Sequence, residues 1–130
     1  MMTSRERVRL ALEHKEPDRV PLDLGGTSVT GMHVDTVYRL RQALGLDAPG
    51  TPIKIIEFVQ MLGEIKPDLL DALKIDTAFL AGTGTAFGFE LKDWKEWRTF
   101  AGTPALVPAG FNTRDEPNGD LLLYPQGDWS

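Results

Sequence analysis

Val8, Ala11 and Leu12 recur at helical spacing behind Thr3 and Glu6, which stand three apart as a capping box does. The pattern predicts a helix from about Ser4, with Pro17 as its stop. Val20 to Leu24 follows as a short apolar run of strand length, with Pro21 acceptable only near its start. Val34, Val37, Leu40 and Leu44 then share one face of a second helix, and Gly45 is placed to end it. From Ile53 to Ile65 the chain is apolar without a clean period, and Glu57 to Gly63 is read as helical. Proline at the first turn opens a further helix from Pro67 to Lys74, buried through Leu69, Leu70 and Leu73. Ile75 to Leu80 reads as a second core strand, parallel to the first.

Beyond Leu80, glycines at 82, 84, 88 and 102 and prolines at 104, 108 and 117 displace the helical period. Phe87, Phe89 and Leu91 alternate as in a half-exposed strand, and Pro117-Asn118-Gly119-Asp120 is a hairpin signal before Leu121 to Tyr124. The expected organisation is one incomplete domain: a helix-strand-helices-strand start over residues 1–81 and a β-rich excursion over 82–130. An eight-stranded β/α barrel takes about 250 residues, so these 130 residues are expected to be its N-terminal portion only. Tyr124 to Ser130 ends in turn chemistry directly after a strand, which suggests a truncated chain.

Charge and composition narrow the function classes. Fourteen basic against 19 acidic residues give a net charge of −5, and with no basic stripe this argues against a nucleic-acid partner. Cysteine is absent, which removes disulfides, thiol nucleophiles and thiolate metal sites and points to a reducing cytoplasm. The N-terminus lacks the apolar core of a signal peptide, and no apolar run reaches membrane-spanning length.

Candidate chemistry gathers at the first predicted strand and the loop after it. Asp23 lies between leucines, where a carboxylate is costly unless paired, so it either meets a polar substrate group or joins a structural hydrogen bond or ion pair. Gly25 and Gly26 allow a sharp turn or a close backbone approach to a ligand. Thr27 and Ser28 offer hydroxyls to a substrate or to a helix start. His33 suits proton transfer or substrate binding near neutral pH, or a cap. Strand alternation puts Asp23 and Gly25 on one face, so the substrate-binding set is Asp23, Gly25, Gly26, Thr27 and His33. His14, in the last turn of the first helix, fits a capping or surface role. Gly82, Gly84 and Gly88 have the wrong spacing for a dinucleotide loop, and no helix is expected directly after them. Trp94 and Trp97 either stack on a planar ring or close a small core.

Three pieces in order, Ser4-Arg5-Glu6-Arg7-Val8, Glu16-Pro17-Asp18-Arg19-Val20-Pro21 and Asp23-Leu24-Gly25-Gly26-Thr27 with Gly31-Met32-His33, resemble the N-terminal part of the uroporphyrinogen decarboxylase superfamily. The likeness is to the uroporphyrinogen decarboxylase-like or corrinoid methyltransferase-like branch, and Gly119-Asp120 with Tyr124 to Asp128 is similar to a hairpin there. The resemblance implies a (β/α)8 barrel with its pocket at the C-terminal strand ends, placing Asp23 to Thr27 and Leu80 to Gly84 at the rim. It implies either decarboxylation of a tetrapyrrole without a cofactor or methyl transfer linked to a corrinoid protein. The decarboxylases bind substrate carboxylates through arginines in the loop after the first strand; that loop has none here, and the nearest are Arg39 and Arg41 on the second predicted helix. The methyltransferases hold zinc through histidine and cysteines from later in the barrel, so no cofactor is expected within this chain. The implied partners are a small-molecule substrate and either the missing barrel portion or further copies of the chain. The competing reading is a non-catalytic small subunit or remnant that completes a barrel with another chain.

Overall fold

The computed structural model describes residues 1–124; Pro125 to Asp128 of the family-like hairpin and the turn-rich end at Ser130 lie outside the described residues. Helix α1 covers Ser4–Leu12, and its capping box is formed: the Thr3 hydroxyl accepts the Glu6 N–H at 3.2 Å, and the Glu6 carboxylate accepts the Thr3 N–H at 2.9 Å. The helix ends before Pro17. His14 turns to a φ of +57°, and the His14 and Lys15 N–H groups bond back to the carbonyls of Ala11 and Leu10 in a Schellman closure. Helix α2, Val34–Ala43, closes the same way, with Gly45 at a φ of +68° donating to Gln42 and Leu46 donating to Arg41.

Strand β1 covers Ile53–Glu57, and the segment from Glu57 to Gly63, expected to be helical, instead forms the end of β1, a turn over 58–61 and strand β2 (Leu62–Gly63). Alternate Ile53 and Ile55 are fully buried, and β-branched side chains suit a pleated surface better than a helix. Helix α3, Pro67–Leu73, begins at its proline and ends with Lys74 at a φ of +55°. Beyond it lie β3 (Lys95–Arg98), β4 (Pro104–Val107), β5 (Thr113–Asp115) and β6 (Leu121–Leu123).

One sheet has the order β2-β1-β4-β3; β1 runs antiparallel to β2 and parallel to β4, and β3 runs antiparallel to β4. The second sheet is the expected hairpin, β5 with β6, closed through Glu116 to Asp120. Val34 and Val37 of α2 pack with Ile53, Ile55 and Leu69, and the core continues into Phe58, Phe89, Phe111 and Val107. Gly63 is the contact that seats α2: a Cβ there would lie 3.1 Å from side-chain carbons of Ile53 and Val37 and 3.2 Å from the Val34 Cα.

This architecture corrects the barrel expectation. The described residues form a small mixed α/β domain with two sheets and no repeating βα pattern, not the N-terminal portion of a (β/α)8 barrel. A barrel start demands parallel neighbours joined through helices, whereas β1 is followed at once by an antiparallel return into β2. Neither expected barrel strand forms. Val20 is 76% exposed, so the first apolar run is not covered on two faces. Its backbone pairs with the second run at one residue: the Asp76 N–H donates to the Leu22 carbonyl at 2.8 Å, and the Leu22 N–H donates to the Asp76 carboxylate at 2.9 Å. A side chain in place of a backbone partner ends the ladder there. Nor is the region after residue 82 an appendage, since β4 pairs with β1 and β3 completes the same sheet. No helix of the described residues is long and apolar enough to cross a membrane.

Candidate functional site

Three separated segments meet at Asp76. Arg7 from α1 donates Nη1 to Asp76 at 2.6 Å and reaches Asp18 through Nε and Nη2 at 2.7 and 2.9 Å. Arg19 donates Nη1 to the other Asp76 oxygen at 2.7 Å, and the Leu22 N–H adds a further donor. The Asp76 side chain is fully buried. Burial opposes its ionisation, yet the Leu22 N–H, the Ser4 hydroxyl and the two guanidinium groups together hold its carboxyl well below the usual carboxylate range. A carboxylate so completely paired organises the chain around it and leaves no oxygen to do proton chemistry.

Beside this clamp lies the glycine loop. Asp23 turns back on its own loop, where its Oδ1 accepts the Gly26 N–H at 3.0 Å and the Thr77 hydroxyl. The Thr77 hydroxyl, then Thr30 and the Gly26 N–H, outweigh burial and hold the Asp23 carboxyl below its ordinary value. Gly25 is buried at a φ of +72°, and a Cβ there would fall 2.7 Å from Ile65 Cγ1. Both conditions demand glycine. At Gly26 the space for a Cβ is occupied by the Asp23 carboxylate and by Thr77 Oγ1, 2.8 Å away. Thr27 closes the turn, its N–H donating to the Thr30 hydroxyl at 3.1 Å. Asp23, Gly26 and Thr27 line a hollow of about 520 Å³ with Val8 and Leu12 of α1, whereas Gly25 packs on Ile65. Because its Cβ position is filled from within the protein, Gly26→Val is expected to lower stability by about 1–3 kcal/mol. Chemical denaturation checks this, and a variant as stable as the parent would show that the Asp23–Thr77 contact moves aside freely.

His33 stands apart from the loop, as the N-cap of α2, with Nδ1 accepting the Asp35 N–H at 3.2 Å. It lines a cavity of about 690 Å³ between the start of α2 and the β5–β6 hairpin. Asp35 lies beside it and accepts the Thr99 hydroxyl at 2.7 Å. Burial raises the Asp35 carboxyl, but Thr103, Thr99 and nearby His33 and Arg39 bring it below its ordinary value. The apolar wall contains Phe58, Trp97 and Phe111, with Trp97 edge-on to Phe111 at 5.4 Å between ring centres. The candidate residues therefore divide: Asp23, Gly26 and Thr27 share one hollow, His33 another, and Gly25 supports the turn.

Among the arginines nearest the loop, Arg41 is committed elsewhere. It is buried and doubly bonded to both Asp47, at 2.5 and 2.9 Å, and Asp68, at 2.7 and 2.7 Å. Lys54 Nζ lies 4.8 Å from the Trp94 ring centre in a cation–π contact. His14 is exposed at the α1 closure. The Gly82–Gly88 run folds into turns bridged from Gly84 to Glu90, and β3 follows it. Among the described residues, no group of three or more His, Cys, Asp or Glu side chains is placed to hold a metal ion. Sequence reasoning missed Asp76 and the Asp35–Thr99 pair. An acid inside the apolar run Ile75 to Leu80 is the same signal that singled out Asp23, whereas Thr99 lies just past the end of β3 and carries no such signal.

Compared with protein-family models, curated proteins and solved structures, the chain matches none of them.

Proposed function

We propose that these residues are the N-terminal part of an enzyme with uroporphyrinogen decarboxylase-like activity, decarboxylating a tetrapyrrole or transferring methyl groups in a corrinoid-linked pathway. The observation that carries the reading is the convergence of its motif pieces: Arg7, Asp18 and Arg19 close around Asp76, and the Asp23 loop is tied to the adjoining Thr77. Pieces far apart in sequence thereby act as one unit beneath the hollow at Asp23, Gly26 and Thr27. The reading rests on these pieces and not on a barrel. It places the substrate, a small molecule, over that loop, and the groups that do the chemistry in residues outside this chain. The corrinoid and any metal used in methyl transfer belong with those residues too. A cytoplasmic location and the absence of a nucleic-acid partner accord with a cysteine-free chain of net charge −5.

A second reading, a non-catalytic subunit docking on another chain, is favoured by Leu12, Val20 and Leu80, each at least 76% exposed on segments that meet near Asp76. One pair of measurements separates them. Residues 1–130 alone are expected to turn over neither uroporphyrinogen nor a methylated corrinoid with a thiol. The complete translation product of the gene is expected to release carbon dioxide from the first or form a thioether from the second, as read by mass spectrometry. Turnover by residues 1–130 alone refutes the assignment of the chemistry elsewhere. Inactivity of the complete product, together with co-sedimentation with a second chain, selects the subunit reading.

A further inference from the structure

The cavity beside His33 is separate from the Asp23 loop, so what it does stands or falls independently of the activity proposed above. Its volume, about 690 Å³, lies within the range of small-molecule sites. Three features define what it selects. Its wall is aromatic: Phe58 and Phe111 have ring centres 5.0 Å apart, and Trp97 stands edge-on to Phe111. Its mouth carries Phe100, which is 83% exposed and contributes to the lining. Its polar end holds His33 and Asp35.

The polar end has a determined sense. Nδ1 of His33 accepts the Asp35 N–H, so in the neutral ring the proton sits on Nε2, which becomes a donor. Thr99 donates to Oδ1 of Asp35 and Thr103 also hydrogen-bonds this carboxylate, which supplies acceptors only and, with about four lone-pair sites, keeps capacity for one more donor. A donor and an ionised acceptor side by side match a hydroxyl, which accepts from one and donates to the other. The same carboxylate repels a ligand that carries negative charge.

We propose that this cavity is a binding site for a planar, uncharged aromatic molecule bearing a hydroxyl group, held between the Phe58–Trp97–Phe111 wall and Phe100 and read by His33 and Asp35. The aromatic faces supply most of the contact, as in other apolar sites with a few convergent polar groups.

The test is a titration of the full 130-residue chain with 2-naphthol, followed through backbone amide chemical shifts, with 2-naphthoate and naphthalene as comparison probes. Saturable shifts are expected at Thr99, Phe100 and Leu121 to Leu123, with a Kd on the order of 0.1 mM for a ligand of this size. Naphthoate and naphthalene should each bind about tenfold more weakly, the first through repulsion by Asp35 and the second through loss of the paired hydrogen bonds. His33→Asn keeps a good N-cap while removing the ring donor, and should weaken naphthol binding about fivefold without changing the melting temperature. Phe100→Ala, at an exposed position, tests the mouth without touching the core and should weaken all three probes. Absence of saturable shifts, shifts centred on another face, or equal affinity for naphthol and naphthoate would overturn the proposal.

Discussion

Arg41→Ala lowers the stability of the domain by about 3–5 kcal/mol, the range expected when a buried pair loses one member. Arg41 is 1% exposed, and its guanidinium is the shared donor for Asp47 and Asp68. Removing it leaves Asp47, with 9% side-chain exposure, charged and unpaired beside α2. Asp68 is nearly half exposed and is rehydrated at little cost, so most of the loss comes from Asp47 and from the space left behind. Arg41→Lys is expected to recover only part, because an ammonium cannot make two parallel pairs. Urea denaturation reads both values; a loss below about 1 kcal/mol for the alanine variant would mean that water reaches this site and solvates Asp47.

The same cluster sets an acid limit. Hydrogen bonding to Arg41 holds the Asp68 carboxyl down at about 2 and lowers Asp47 as well. A carboxylate whose folded value lies below its unfolded one contributes fully above the unfolded value, near 3.8, and the contribution disappears as pH falls toward the folded value. Stability should therefore be level from neutrality to about pH 5 and decline between about pH 4 and pH 2. In Arg41→Ala this part of the decline should be shallower, since the cation that lowers both groups is gone.

Asp76→Ala has an effect of similar size, about 3–5 kcal/mol, for a complementary reason. Here one buried anion is removed from two cations, and the Leu22 N–H loses its acceptor at the same moment. Arg7 keeps Asp18, so α1 is not expected to unfold. What is lost is its attachment to the segment after α3. Amide exchange should accelerate at Leu22 and Asp76, while the central sheet retains its relative protection. Asp76→Asn keeps an acceptor for Leu22 and should be less damaging, at about 1–3 kcal/mol. Uniform acceleration across β1 and β4 would mean that the clamp and the sheet open as one unit.

The helices were legible because in each a helical period of apolar residues agreed with a signal at one end or both. Thr3 with Glu6, Gly45 after Leu44 and Pro67 at a first turn all act as the residue types predict. Asn118-Gly119 likewise announced the β5–β6 hairpin. Strand β1 was obscured because consecutive Ile55 and Ile56, with Phe58 just beyond, blur the period of two, and only the β-branching of the isoleucines separates a buried strand from a helix. Val20 to Leu24 failed in the opposite sense: an apolar run is no proof of burial, and here its backbone is engaged by a side chain from residue 76. At the candidate site, Asp23 was recognisable as a carboxylate needing partners, but its partner Thr77 lies 54 positions away. His33 was legible as a cap and not as a neighbour of Phe111, because the hairpin that brings them to one cavity is joined to α2 only through the tertiary fold.

The parallel pairing of β1 with β4 also fixes an order of events during synthesis. Residues 58–103 separate the two strands, and the chain emerges from the ribosome N-terminus first. Arg41 can meet Asp68, and Arg7 and Arg19 can meet Asp76, before β4 has emerged. Strand β1 can fold back on β2 in the same interval, yet its other edge stays open until residue 104 arrives. For that interval an isoleucine-rich strand offers unpaired N–H and C=O groups to any passing chain. The arrival of Pro104 to Val107 pairs that edge and ends its exposure.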